Sequence, residues 1–390
     1  MGDGRWEYRF YIKGIDGRAK RVSRIIRATN RTAANRQAAT IASDAARSGA
    51  ATNDKRTWTV KRYIAWYFDS YADDTLARNT LRRYRQMADN QVIPAIGHLR
   101  MTEITGSDLE RLYGRLRRDG GRSDGRKGGL SEQSIFHVHR FIHAVFNHAV
   151  KNDVREWSPA DRATIKTPDK KRPTLLDADR VEGLLAVFRE AQANGSRLYL
   201  PVLLAAYTGA RRGEVLGLKW SDVDFDGCTI TIQRSLQDAP DGASEKGTKT
   251  GAVRVVPLLD DQLVGELKAH KAAQREARMA LGKAWKGPRR PEDDYICCAP
   301  DGSAWQPALF TRTYRRFCIR QGFPEVNYHS LRHAFASMGA RLGIDAITMA
   351  DLLGHSPDVF LTVYAHAFDE AKRDAVQRMT EARKKARKAV

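Results

Sequence analysis

The sequence predicts a mainly α fold with small β elements: an N-terminal three-stranded sheet plus helix, a helical middle domain and a mixed α/β, mostly α, C-terminal domain. Three observations carry that prediction. The chain has 390 residues, 42% of them hydrophobic, which suits two or three cores rather than one. Helical spacing dominates, while strand-like patterns are confined to the N-terminus and to residues 228–258. Two breaker-rich polar stretches, Ser48–Arg56 and Thr164–Pro173, read as linkers. The expected domains are therefore 1–52, 57–165 and 173–390.

In the first domain, Trp6–Lys13 alternates aromatic and polar residues as a strand does. Gly14–Gly17 is a turn signal, and Arg21–Ala28 can return as a strand. The Ala-rich Thr32–Arg47 reads as a helix with Thr29, Asn30 or Thr32 as its cap. Residues 1–56 carry 13 Lys/Arg against five Asp/Glu. A small sheet of that charge either lies in a DNA groove, where strands can read bases, or touches phosphate alone.

In the second domain, Val60, Ile64, Tyr67, Phe68 and Tyr71 recur at helical spacing. Asn79–Val92 is another helix, which Pro94 and Gly97 are expected to break. Thr105 or Ser107 can cap a helix through Leu109, Leu112 and Leu116, and Arg117–Gly129 reads as a loop. Ser131 starts a helix through Ile135, Val138, Ile142 and Val145. Its His137, His139, His143 and His148 lack a suitably spaced acidic partner, so they read as helix-face or phosphate-contacting residues rather than metal ligands.

From Thr174 the helical pattern resumes, interrupted by one strand pair, Cys228–Gln233 and Arg254–Leu258, with a polar, Gly-rich connection. Three segments carry candidate chemistry. In the first, an apolar helix (Leu198–Tyr207) stops at Gly209 and a second begins near Gly213. Arg211 then sits at a corner, with Glu214 three residues on to brace it. Such an arginine can hold two phosphate oxygens, or the two residues can be a structural pair. In Tyr328-His-Ser-Leu-Arg-His333, a helix puts His329 and Arg332 on one face. A histidine moves protons near neutral pH, and an arginine holds charge on phosphate. In the third segment, Gly354 and Pro357 break a helix around His355, and Tyr364 follows nine residues later. Taken alone, Tyr364 reads as an amphipathic core residue.

The formal net charge of +21 attracts polyanions, of which nucleic acid is the commonest. The four cysteines form no CxxC pair and no zinc-like spacing, so neither a disulfide scaffold nor a structural metal is expected. The first 30 residues are charged throughout and no apolar run suits a bilayer. A cytoplasmic, nucleoid-associated protein without membrane contact is expected. No GxxxxGK[ST] loop is present, and no cofactor is expected.

The patterns Gly-x-Arg-x-x-Glu, His-x-x-Arg, Gly-His and Tyr-x-His follow in that order over about 160 residues. Together they resemble the catalytic domain of the tyrosine recombinases, the phage integrase family, over roughly 174–370. The preceding chain is similar in layout to many phage-type integrases. The resemblance implies an arm-type DNA-binding domain at 1–52, a core-binding DNA domain at 57–165 and a catalytic domain at 173–390. It implies Tyr364 as nucleophile, Arg211 and Arg332 as phosphate ligands, His329 in proton transfer, and His355 as hydrogen-bond donor to a phosphate oxygen, with Glu214 in support. The family also uses a hairpin lysine as general acid. Lys249, in Gly247-Thr-Lys-Thr-Gly251, matches best, although the serine that often follows the family's Lys-Thr is absent and Lys246 lies close by.

The implied partners are double-stranded DNA at core and arm-type sites, three further copies of the chain in a tetramer on DNA, and accessory excision or DNA-bending proteins. The tail, Ala371–Val390, with eight Lys/Arg and two Asp/Glu, is a basic helix candidate that packs on a neighbouring subunit, touches DNA or is simply solvated. Two other functions fit the same features: a type IB topoisomerase-like enzyme that relaxes DNA, and a non-catalytic DNA-binding regulator.

Overall fold

The computed structural model describes residues 5–13, 19–28, 30–48, 55–122, 127–168, 176–239, 242–247 and 253–364, and in the tail 376–377, 379–381, 383–384 and 387. The predicted Gly14–Gly17 turn, the Thr29 cap, Lys249 and most of the tail lie outside the described residues. The chain forms two compact units, Met1–Lys170 and Lys171–Val390.

In the first unit, β1 (Arg5–Lys13) pairs antiparallel with β2 (Ala19–Arg27), Trp6 opposite Ile26 and Phe10 opposite Val22. Among the described residues this sheet has two strands rather than the three expected. After Ala28 the chain enters α1 (Arg31–Ser48) almost at once, capped by Asn30, whose side chain accepts the Ala33 N–H at 2.8 Å. That leaves no residues there for a further strand.

The rest of the unit is helical. The element α2 (Val60–Tyr67) runs through a π turn, Phe68–Ala72, into α3 (Asp73–Thr75). Likewise α4 (Arg78–Met87) runs through a π turn, Ala88–Val92, into α5 (Ile93–Ile96). Pro94 therefore does not break the helix as predicted. The π turn has already left the i→i−4 ladder, with the Ile93 N–H bonded to Ala88, so Pro94 sits in a first turn where no donor is missed. The helix α6 (Gly106–Asp119) is capped by Thr105, not Ser107. Then come α7 (Glu132–Lys151), capped by Ser131, and α8 (Pro159–Arg162). Tyr63, Tyr67, Tyr113, Phe141 and Phe146 fill the core.

The α7 histidines serve this packing. His148 and His139 bond the hydroxyls of Tyr63 and Tyr113, each at 2.9 Å. His143 does find a carboxylate, Asp161 at 2.8 Å, contrary to expectation, because α8 folds back onto α7. No metal-binding cluster occurs among the described residues.

The second unit is built around α10 (Tyr199–Thr208), whose sequence is apolar on every side and almost wholly enclosed. Against it pack α9 (Ala178–Ala193), α11 (Arg212–Leu216), α12 (Asp261–Leu281) and α14 (Tyr328–Arg341). The predicted strand pair is present as β4 (Thr229–Ile232) with β7 (Arg254–Pro257), extended by β3 (Val223–Asp224). The connection between them holds an unpredicted hairpin, β5 (Arg234–Ala239) with β6 (Gly242–Gly247). Its only fully buried side chain is Leu236, so no alternating apolar pattern announces it. Ion pairs hold it instead, Lys219 to Glu245 at 2.5 Å and Arg234 to Asp222. After α13 (Pro307–Arg320) and α14, the short helices α15 (Ala346–Leu353) and α16 (Pro357–Tyr364) close over α14 around Ala336, Met349, Leu353 and Phe360. No helix among the described residues is long and apolar enough to cross a membrane.

Candidate active site

Two helix ends form the floor of the site. Gly209 ends α10 in the left-handed conformation, φ +60°, and a Cβ there would lie 2.7 Å from both Leu353 and Phe335. Gly354 ends α15 in the same way, φ +66°. Both helices thus stop abruptly, and their last carbonyls point at the same place.

Arg332, on α14, occupies that place. It donates to the Gly209 and Leu353 carbonyls at 2.7 Å each. The negative ends of two helix dipoles therefore surround a guanidinium that is only 3% exposed. Burial, then repulsion from Arg211, pulls its pKa down to about 9, so it is still protonated at neutral pH.

Arg211 begins α11. Its backbone N–H and its Nη1 reach the two Glu214 oxygens at 2.9 and 2.8 Å, and its Nη2 reaches the Gly354 carbonyl at 3.1 Å. Its side chain remains 26% exposed. Glu214 is buried and also accepts from Arg254 at 2.5 Å, while the Arg254 Nε–H donates to the Leu352 carbonyl at 2.9 Å. Burial pushes the Glu214 carboxyl up, but the bonds and charges of Arg254 and Arg211 outweigh it and hold it below the usual range.

His329 lies one turn before Arg332 and is partly exposed, and His355 follows Gly354, half-buried. Both titrate below the ordinary histidine value, because of crowding first and then the charges of Arg332 and Arg211. Tyr364 ends α16 and is 3% exposed. Its hydroxyl bonds the Nδ1 of His333 at 2.6 Å. Burial pushes the phenol up to about 12, partly offset by the positive charge of Arg332.

The structure therefore brings Arg211, Glu214, His329, Arg332, His355 and Tyr364 into one electrostatic cluster. Lys249 lies outside the described residues, and Lys246 is exposed on β6. Two members were missed in the sequence. In the sequence Arg254 is only the start of a strand, yet its side chain is buried. His333 carries no motif of its own, although it lies four residues after His329, a spacing that puts both on one helix face.

The histidines make the cluster pH-sensitive. Their folded pKa values lie below the ordinary 6.5, that of His333 at about 4, after burial and the charges of His329 and Arg332. The unfolded chain then takes up protons first as pH falls. Folding stability is expected to drop below pH 6.5, and the part due to His333 to level off near 4. Thermal melts across that range, on the native chain and on His333→Gln, check this. An identical pH slope for the two would contradict it.

A family model described as "Phage integrase family" matches residues 174–371. The chain belongs to the phage integrase family. A second model, "Phage integrase, N-terminal SAM-like domain", matches 59–117 of the helical region ahead of it. Among curated relatives of this family, a tyrosine recombinase XerC-like protein of Caldanaerobacter subterraneus subsp. tengcongensis is 27% identical over 297 residues, covering 73% of this chain and 72% of that protein. An integrase of Saccharopolyspora erythraea is 21% identical over 386 residues, covering 85% and 84%. Among solved structures, the Tn1549 transposon integrase in complex with a circular intermediate DNA shares the fold with a TM-score of 0.65 at 18% identity, covering 82% of this chain and all of that one.

Proposed function

We propose that this chain is a site-specific DNA recombinase that breaks and rejoins DNA through a covalent 3′-phosphotyrosine at Tyr364, working as a tetramer on paired sites. The observation that carries the reading is the convergence of Arg211, His329, Arg332, His355 and Tyr364, from distant segments, around the Gly354 turn of the unit that matches the family. Attack on a phosphodiester builds negative charge on its non-bridging oxygens. Two guanidiniums held by carbonyls and a carboxylate are preorganised to stabilise that charge. His329 and His355, neutral at physiological pH, contribute N–H donors or move protons. Lys249 or Lys246 protonates the leaving 5′ oxygen.

Residues 1–52 and 57–165 supply arm-type and core DNA contacts, and 173–390 the catalysis. Strand exchange between two duplexes needs four such sites, which is the basis for the tetramer.

Nicked duplexes tiled across the DNA flanking the coding sequence test the proposal. The expected result is a covalent adduct that maps to Tyr364 with phosphate on the 3′ side. Efficient relaxation of a plasmid lacking that flanking DNA would favour the topoisomerase reading. DNA affinity is also expected to fall by about 10³-fold or more between about 50 and 200 mM salt, since phosphate contacts by many Lys/Arg release counterions. A flat response in a filter-binding titration would contradict DNA contact by the basic surfaces.

A further inference from the structure

The Tyr364 hydroxyl contacts neither of the histidines expected in the chemistry. It meets His333 Nδ1 at 2.6 Å, with the rings 5.7 Å apart, and the His333 ring in turn sits edge-on to His329 at 4.6 Å. Among the described residues, the titratable and charged groups facing His333 are His329 and Arg332 on α14 and Tyr364 on α16. With two cationic or potentially cationic neighbours, His333 stays neutral at physiological pH, and in its Nε2–H tautomer the Nδ1 that faces the phenol is an acceptor. A phenol that burial keeps protonated is the matching donor. The hydrogen bond therefore runs from Tyr364 to His333.

We propose that His333 is the base for the nucleophile: as the Tyr364 oxygen bonds to phosphorus, the phenolic proton passes to His333 Nδ1. This rests on the recombinase reading above. The steps balance without any added reagent. The Tyr364 Oη–P bond forms, the P–O5′ bond breaks, the phenolic proton moves to His333, and the 5′ oxygen takes a proton from the general acid. In the rejoining step the incoming 5′ hydroxyl gives its proton to the deprotonated general acid, the tyrosyl oxygen leaves phosphorus, and His333 returns the phenolic proton to it. His329, one turn away, is left to face the phosphate.

The test is single-turnover adduct formation on the nicked, tiled duplexes, with His333→Ala and His333→Gln beside the native chain. Glutamine keeps an acceptor for the phenol but cannot carry its proton away. Both variants are expected to bind the duplexes with native affinity and to form adduct on the order of 10²-fold more slowly. Their rates should climb as pH rises and solvent hydroxide replaces the missing base, while the native rate is flat above neutrality. A native rate in His333→Ala would overturn the inference. So would a native rate in His333→Gln, because the contact would then only position the phenol. A native chain that forms no adduct on any duplex would overturn the recombinase reading, and this inference with it.

Discussion

Tyr364→Phe is expected to bind the tiled duplexes with native affinity and to form no covalent adduct at all. The substitution removes one oxygen and keeps the ring that packs on Phe360 at 5.0 Å, so α16 stays folded. What disappears is the atom proposed to join DNA, and with it the hydrogen bond to His333. Losing that bond costs about 1 kcal/mol of stability, a small effect beside complete loss of chemistry. Gel retardation and denaturing electrophoresis on the same samples separate the two properties. An adduct in the variant would assign the nucleophile to another residue.

Glu214→Ala is expected to be the most damaging change to folding. This carboxylate is 1% exposed and takes hydrogen bonds from Arg211 and Arg254, the latter itself buried. Removing it leaves the buried Arg254 without its counter-charge and Arg211 without its brace. A broken buried pair costs about 3–5 kcal/mol, a large share of a typical domain's stability. Glu214→Gln keeps the volume but not the charge and is expected to fall between. The same carboxylate sets a pH limit. Because its folded pKa is depressed, its stabilisation is full above the ordinary glutamate range and is lost as pH falls through the lower folded value. Urea melts at neutral and acid pH measure both effects, and a melt of Glu214→Ala that matches the native chain would refute the bracing role.

Much of this arrangement is legible in the sequence because chain breakers mark it. Gly209 and Gly354 announce where helices stop and Pro357 where the next one starts, and Arg211 and His355 lie at those junctions. What escaped notice lacked periodicity. The β5–β6 hairpin is polar and is held by ion pairs, so an apolar alternation cannot reveal it. The π turns before α3 and α5 each insert a residue, which makes Pro94 harmless where a regular helix would break. Arg254 sits in a strand whose buried positions should be apolar, and only the three-dimensional partner, Glu214, explains a charge there. His143 found Asp161 across a fold, a pairing that linear spacing does not encode.

Among the described residues, Arg211 and Arg254 bond one carboxylate, Glu214, whose charge also reaches Arg332, and carbonyl dipoles make up the balance. This corner of the protein is therefore folded with more positive than negative formal charge, and the two are evened only when an anion arrives. Occupancy and folding are then coupled. On the proposed reading, a bound phosphodiester would relieve mutual repulsion among the arginines, and the substrate would itself add to the rigidity of the pocket that receives it.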